Sequence, residues 1–211
     1  MPTWIHILIA APPLIISVIL HEIAHGYTAE QLGDPTARTL GRITLNPLKH
    51  IDPFLTLLLP GMLLLAGSPV VFGGAKPVPV NPMYFKNPRR DMAYVALAGP
   101  VTNFFLAGIC FVVFLLLSRS ASPGLPAVLC ALWMIQGVLI NLVLGIFNLV
   151  PIPPLDGGRI VVGFLPLPLA RRWARLERFG ILIVFLLLYS GLLDWMFEPV
   201  IRLTAEHLLK L

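Results

Sequence analysis

His21-Glu22-Ile23-Ala24-His25 sets two imidazoles four residues apart, with a carboxylate directly after the first. On a helix, residues four apart share a face. Both rings can then meet one divalent cation while Glu22 points beside it. A carboxylate so placed can take a proton from water activated by the cation, which is the chemistry of metal-dependent peptide hydrolysis. The setting sharpens this reading. The motif lies in an apolar run over about residues 4–32, where ionisable side chains are expensive. Three of them in five positions call for a common partner, and a metal ion supplies one.

Catalytic zinc takes three protein ligands and keeps one position open. The third ligand must come from another segment, and Asp156 is the candidate. It sits in Asn148-Leu149-Val150-Pro151-Ile152-Pro153-Pro154-Leu155-Asp156-Gly157-Gly158-Arg159. Three prolines in four positions forbid a helix, and the two glycines permit a sharp turn. An apolar run broken in this way leaves free backbone groups at depth, which is tolerated only where it lines a site. Asn148 has two readings: a hydrogen-bonding partner between helices, or a substrate-binding donor to the peptide carbonyl and its developing oxyanion. Asn103 and Asn141 are read as interhelical packers. His50 and Asp52 flank the entry to an apolar segment and are assigned to capping or loop structure, with a functional role as the alternative. His6 and His207 are read as interfacial.

The elements that must position these residues follow from composition. The 211 residues are 57% hydrophobic and 12% charged, with a mean hydropathy of +0.88, against about 25% charged in a soluble domain. The expected fold is an all-α polytopic membrane protein, one domain over 1–211 with its core in 5–165. There are five apolar segments: 4–32, 54–71, 92–118, 125–155 with a continuation over 160–170, and 179–197. A spanning helix needs about 20 apolar residues, and all but the second qualify. The second is interrupted by Pro60-Gly61. Charge arbitrates its path. If 54–71 enters and leaves on one side, 12 of the 15 lysines and arginines fall on that side and 3 on the other, in keeping with the positive-inside rule. The expectation is therefore about four spanning helices plus a re-entrant or interfacial segment. The turn-rich stretch 73–82 is expected to hold a short β element, an edge strand at Val78 and Val80. Residues 171–178 read as an amphipathic interfacial helix, which with the last span forms a C-terminal unit over 171–198.

This topology also sets depth. His21 lies about 16 Å from the end of its helix near Leu32, and Asp156 about 14 Å from the end of its run near Leu165, at 1.5 Å per residue. Both ends are on the same side, so the three candidate ligands reach one level. The net charge of +5 is assigned to anchoring against anionic headgroups rather than to nucleic acid. Cys110 and Cys130 lie in apolar runs without metal-type spacing and read as small buried residues. No lysine or arginine precedes the first apolar run, which therefore does not read as a secretory signal.

Taken together, the motifs resemble the site-2 protease family of intramembrane zinc metallopeptidases. The resemblance is carried by His21-Glu22-Ile23-Ala24-His25, by Ala98-Gly99-Pro100 with Asn103, and by Asn148 through Leu155-Asp156-Gly157-Gly158. Gly33-Asp34-Pro35-Thr36-Ala37, residues 46–53 and Ala75-Lys76-Pro77-Val78-Pro79-Val80 make it most similar to the minimal prokaryotic branch. The resemblance implies one Zn2+ on His21, His25 and Asp156, with Glu22 as general base. It implies a substrate that is itself a membrane helix, unwound before cleavage, and a multi-pass protein of the prokaryotic inner membrane with its site nearer the cytoplasmic side. The chain is expected to carry no spanning helix ahead of its HExxH helix and no PDZ or nucleotide-sensing domain. The alternative is a membrane transporter or metal carrier with a zinc site, which would need polar residues continuing along a path through several helices.

Overall fold

The computed structural model describes residues 3–67, 73–119 and 124–208. Helix α1 spans Thr3–Gln31 and carries Pro12 and Pro13 within it. Proline has no N–H to give the carbonyl one turn earlier, so Pro12 leaves the Leu8 carbonyl without its helical donor. The Trp133 indole Nε1 supplies that donor from a neighbouring helix at 3.2 Å. At its other end α1 is closed by Gly33, which adopts φ +108°. Asp34 N then bonds back to Ala29 O and Gly33 N to Glu30 O, the paired pattern of a glycine-capped helix end. Beyond this turn lie the short α2, Thr36–Thr39, and a 3-10 turn, Pro47–His50.

The described part of the second apolar segment folds back on itself. It forms a π-helical turn over Pro53–Leu58 that continues as α3, Leu59–Leu65, together about 20 Å of helix. Its two ends meet: Gly74 N donates to Leu55 O, and Thr56 Oγ1 donates to Gly74 O at 2.6 Å. The two ends of the segment thus lie side by side, the arrangement expected of a re-entrant or interfacial excursion. Residues 68–72 of this excursion lie outside the described ones. Asp52 caps the π-helical turn, its Oδ1 accepting from Phe54 N and Leu55 N. His50 is buried, with Nε2 at 2.9 Å from Thr44 O. Both residues thus serve local structure, the first of the two roles considered for them.

The long helices make the frame. Helix α4, Pro88–Ser118, starts with Pro88 in its first turn and with Asp91 accepting from Asn87 N. Helix α5 is Leu125–Leu149. After the proline-rich turn, α6 covers Asp156–Phe164 and α7 Leu167–Ala174, with α7 tightening into a 3-10 turn over Arg175–Phe179. The interfacial helix thus begins earlier than residue 171 and loses α geometry at its end. Helix α4 is central, packing on α1, α5 and α6. Asn103 of α4, Asn141 of α5 and Ser17 of α1 hydrogen-bond to one another between these helices.

Among the described residues, three helices are long and apolar enough to cross a membrane: Leu8–Gln31, Pro88–Ser118 and Leu125–Leu149. No more than 22% of the most apolar stretch of any of them is buried inside the protein, and large apolar side chains such as Phe105, Val112 and Leu116 of α4 are exposed, where lipid can cover them. The fold class is the expected all-α polytopic membrane protein. The last apolar segment departs from the expected span. It divides into α8, Gly180–Tyr189, and α9, Leu192–Leu208, at Gly191, whose φ is +72°. Ser190 completes the break, its Oγ donating to Leu187 O and accepting from Leu192 N. The side chains of His6 and His207 are outside the described ones.

The edge strand expected at Val78 and Val80 does not form. Residues 73–81 are extended, but their backbone bonds run to loop carbonyls and side chains rather than to a second strand. Lys76 N donates to His50 O, and Lys76 O accepts from Arg42 Nη2. Val78 N donates to Glu22 Oε2, and Asn81 N to Asp34 Oδ2. Pro77 and Pro79 have no N–H to offer to a ladder.

Single cysteines at positions 46 and 86, with Cys110 and Cys130 replaced by alanine, test the hairpin. A membrane-impermeant maleimide should label both from the same face of oriented vesicles. Labelling from opposite faces would mean that 54–71 crosses.

Candidate metal centre

One turn of α1 brings His21 and His25 together, both buried, with their Nε2 atoms 3.0 Å apart. Asp156 reaches them from the first turn of α6, where the positive end of the helix favours a carboxylate. Its Oδ2 lies 3.2 Å from His21 Nε2 and 3.3 Å from His25 Nε2. Ligand bonds of about 2.0–2.1 Å in a tetrahedral site separate neighbouring donor atoms by about 3.3 Å. The observed triangle is close to one face of such a tetrahedron.

The donor chemistry agrees with this. His25 Nδ1 lies 2.7 Å from the Val95 carbonyl, which can only accept, so the ring carries its proton on Nδ1 and offers a lone pair at Nε2. His21 Nδ1 faces the amide oxygen of Asn103 at 2.5 Å. Asp156 Oδ2 is a buried atom without a hydrogen-bond donor. Two ring nitrogens and a carboxylate oxygen therefore converge in an apolar bundle. A proton on one nitrogen could satisfy only part of the triangle, whereas a single divalent cation satisfies all three atoms. Among the described residues, these three make the one group of His, Cys, Asp or Glu side chains with ligand atoms close enough to hold a metal.

Backbone contacts explain two of the glycine positions. Gly99 of α4 passes against the histidines so closely that a Cβ there would stand 2.5 Å from His21 Cε1 and 2.6 Å from His25 Cε1. Gly157 is fixed in the same way by the folded-back end of α5, since its Cβ would overlap the carbonyl oxygens of Leu149 and Val150. That overlap is with backbone, which cannot swing aside. The proline-rich turn and α6 can thus be superposed only with glycine here, and it is this superposition that delivers Asp156. Trp173 of α7 donates to Pro151 O from outside.

Glu22 stands beside the triangle and is not part of it. Val78 N holds its Oε2 at 2.7 Å, which leaves the other carboxylate oxygen free. A cavity of about 150 Å³ opens here, lined by the two histidines, Glu22, Asp156, Val78, Val80, Met92 and Arg159 among others. Asn148 also lines it, near the end of α5, with Nδ2 donating to Leu144 O of its own helix. The amide's second proton remains to be given.

Sequence reasoning did not foresee three features. The 76–81 segment clasps Glu22. Arg159, one turn after Asp156, lines the cavity while pairing with Glu177 at 3.1 Å. Asn103, read as a packer, touches His21. Spacing alone could have suggested Arg159, which shares a helix face with Asp156, whereas the other two join residues more than fifty positions apart.

A family model described as peptidase family M50 matches residues 9–132 and 120–189. The Bacillus subtilis protein named "Putative zinc metalloprotease YwhC" is 40% identical over 94% of this chain and 88% of its own length. The Mycolicibacterium smegmatis protein named "Putative zinc metalloprotease Rip2" is 36% identical over 88% of this chain and 69% of its own. No solved structure matches the chain.

The close approach at Gly99 is open to test. Gly99→Ala should weaken zinc binding at least about fivefold, as expected for about 1–3 kcal/mol of overpacking against the ligand rings. Gly108→Ala on the same helix meets nothing within 4 Å and should leave binding within about twofold. Competition with a chromophoric chelator reads both, and equal affinities for the two variants would show that the approach does not shape the site.

Proposed function

The chain belongs to peptidase family M50, and from that premise we propose that it is an intramembrane zinc metalloendopeptidase that cleaves transmembrane segments of other membrane proteins. The observation that carries the proposal is the triangle of His21 Nε2, His25 Nε2 and Asp156 Oδ2, with edges of 3.0–3.3 Å, whose two histidines stand on a helix apolar enough to cross a bilayer.

In this reading His21, His25 and Asp156 hold one zinc ion. When bound, zinc supplies Lewis-acid activation of water and of the peptide carbonyl. Glu22 is the general base. Its Oε2 is tied to Val78 N, so the free oxygen takes the proton from the attacking water and can pass it to the leaving amide nitrogen. Asn148 lines the cavity, where its side-chain amide can stabilise the carbonyl oxygen as charge develops. Asp156 keeps the site within one unit of charge of neutrality and completes the ligand set.

The cavity of about 150 Å³ beside the triangle would receive the scissile stretch, and the family resemblance implies that the substrate helix is unwound before cleavage. The partners are then a membrane-protein substrate helix and the bilayer, in a prokaryotic cell membrane with the site nearer the cytoplasmic face. A transport role is not favoured. The polar side chains packed behind the triangle on α1, α4 and α5, Ser17, Asn103 and Asn141, are buried and engaged with one another and with His21, and they do not line the cavity.

Metal content and cleavage of a transmembrane substrate in three variants separate the roles. Glu22→Gln should keep its zinc and lose at least about a hundredfold in rate, within the range for a lost general base. Asp156→Ala and Asp156→Asn should lose zinc as well as activity. Wild-type zinc and rate in Asp156→Asn would remove Asp156 from the ligand set, and near-normal cleavage by Glu22→Gln would overturn the assigned chemistry.

A further inference from the structure

An imidazole can ligate through Nε2 only when its proton is on Nδ1. For His25 a backbone carbonyl enforces this. For His21 the partner is the side-chain amide of Asn103, which has an acceptor at one end and a donor at the other. Flipped by half a turn, Asn103 would donate to Nδ1 and drive the ring proton onto Nε2, in the place of the metal. Something must hold the amide one way round.

The structure names what does. Asn103 Nδ2 donates to Asn141 Oδ1 at 2.8 Å. Asn141 is itself an amide, but its Nδ2 stands 2.8 Å from the Gly137 carbonyl and 2.8 Å from Ser17 Oγ. The carbonyl can only accept. The Ser17 hydroxyl spends its proton on Pro13 O at 2.7 Å, so its oxygen accepts too. Both neighbours therefore demand the NH2 group of Asn141. That turns its oxygen toward Asn103, which fixes the Asn103 NH2, and so presents the Asn103 oxygen to His21. Asn103, Asn141 and Ser17 are 0%, 1% and 2% exposed, which leaves no room for water to supply either polarity.

We propose that Asn141 is a positioning residue for the metal centre: acting through Asn103, and anchored by the Gly137 carbonyl, it sets the tautomer in which His21 can bind zinc. The proposal rests on the zinc reading above and extends it to a residue that touches neither the metal site nor the cavity. It makes Ser17 dispensable, because the Gly137 carbonyl alone keeps Asn141 oriented.

The test uses the full chain in lipid nanodiscs, with two readouts. One is zinc affinity by chelator competition. The other is the tautomer of His21 in metal-free protein carrying 15N-labelled histidine, assigned by comparison with His21→Gln. Asn141→Leu should raise the Nε2-protonated form of His21 and weaken zinc binding about ten- to a hundredfold, the usual span for partners behind a ligand. Asn141→Ala should do the same and serves if the leucine variant does not fold. Ser17→Ala should stay within about twofold of wild type. Asn103→Asp offers His21 only acceptors, so adding Asn141→Leu to Asn103→Asp should cost no further affinity. An unchanged His21 tautomer in both Asn141 variants would overturn the proposal. So would an equal loss of zinc with and without Asn103→Asp, which would mark Asn141 as a packing residue. A wild-type chain that binds no zinc would instead fail the zinc reading, while the tautomer measurement would still decide on Asn141.

Discussion

Three hydrogen-bond acceptors converge where lipid surrounds the protein, and the rest of the structure is arranged around that fact. His21 Nε2, His25 Nε2 and Asp156 Oδ2 stand within 3.3 Å of one another. Without a cation their lone pairs oppose each other. In a low-dielectric interior that opposition is severe, and so is the attraction to a divalent ion. The surroundings accordingly give the second nitrogen of each ring a fixed partner. His25 gives its second nitrogen to Val95, His21 its own to Asn103, and α4 contributes the bare backbone of Gly99.

The same constraint governs the proline breaks. A membrane helix can release backbone groups only if something else takes them. At the start of α1 the carbonyl freed by Pro12 is taken by Trp133. After α5 the turn through Pro151, Pro153 and Pro154 keeps short local bonds, Ile152 N to Val150 O and Leu155 N to Ile152 O, while Trp173 takes Pro151 O. Each break has a use. The first joins α1 to α5, and the second reverses the chain so that Asp156 begins a new helix at the level of the histidines.

Glu22 belongs to a third layer of support. Its carboxylate is oriented by Val78 N, and the segment bearing Val78 is held on either side by Lys76, through His50 and Arg42, and by Asn81, through the fully buried Asp34. Motifs that are far apart in the chain, around Asp34, His50 and Lys76, are thus joined to Glu22, the proposed general base, through one strip of backbone. Because that strip pairs with side chains and loop carbonyls, its register is set residue by residue.

The sequence by itself determined the chemistry and the outline of the fold. HExxH has a meaning independent of tertiary context, because four residues of helix place two imidazoles on one face. Prolines and glycines at 151–158 can do nothing but break a span. The distribution of arginine and lysine led to the expectation that 54–71 turns back, since topology in a membrane answers to charge on short loops. What only the tertiary structure decided are relations between residues whose individual signals are weak. An asparagine in an apolar helix announces an interhelical bond but not its direction, and the direction of Asn103 depends on a carbonyl of α5. Val78 and Val80 alternate like a strand, yet a strand exists only where another backbone lies beside it, and here side chains take that place. The last apolar run has the length of a span, but Ser190 Oγ takes up the Leu187 carbonyl and the Leu192 N–H around the left-handed Gly191 and so divides it, a local balance that hydropathy does not register.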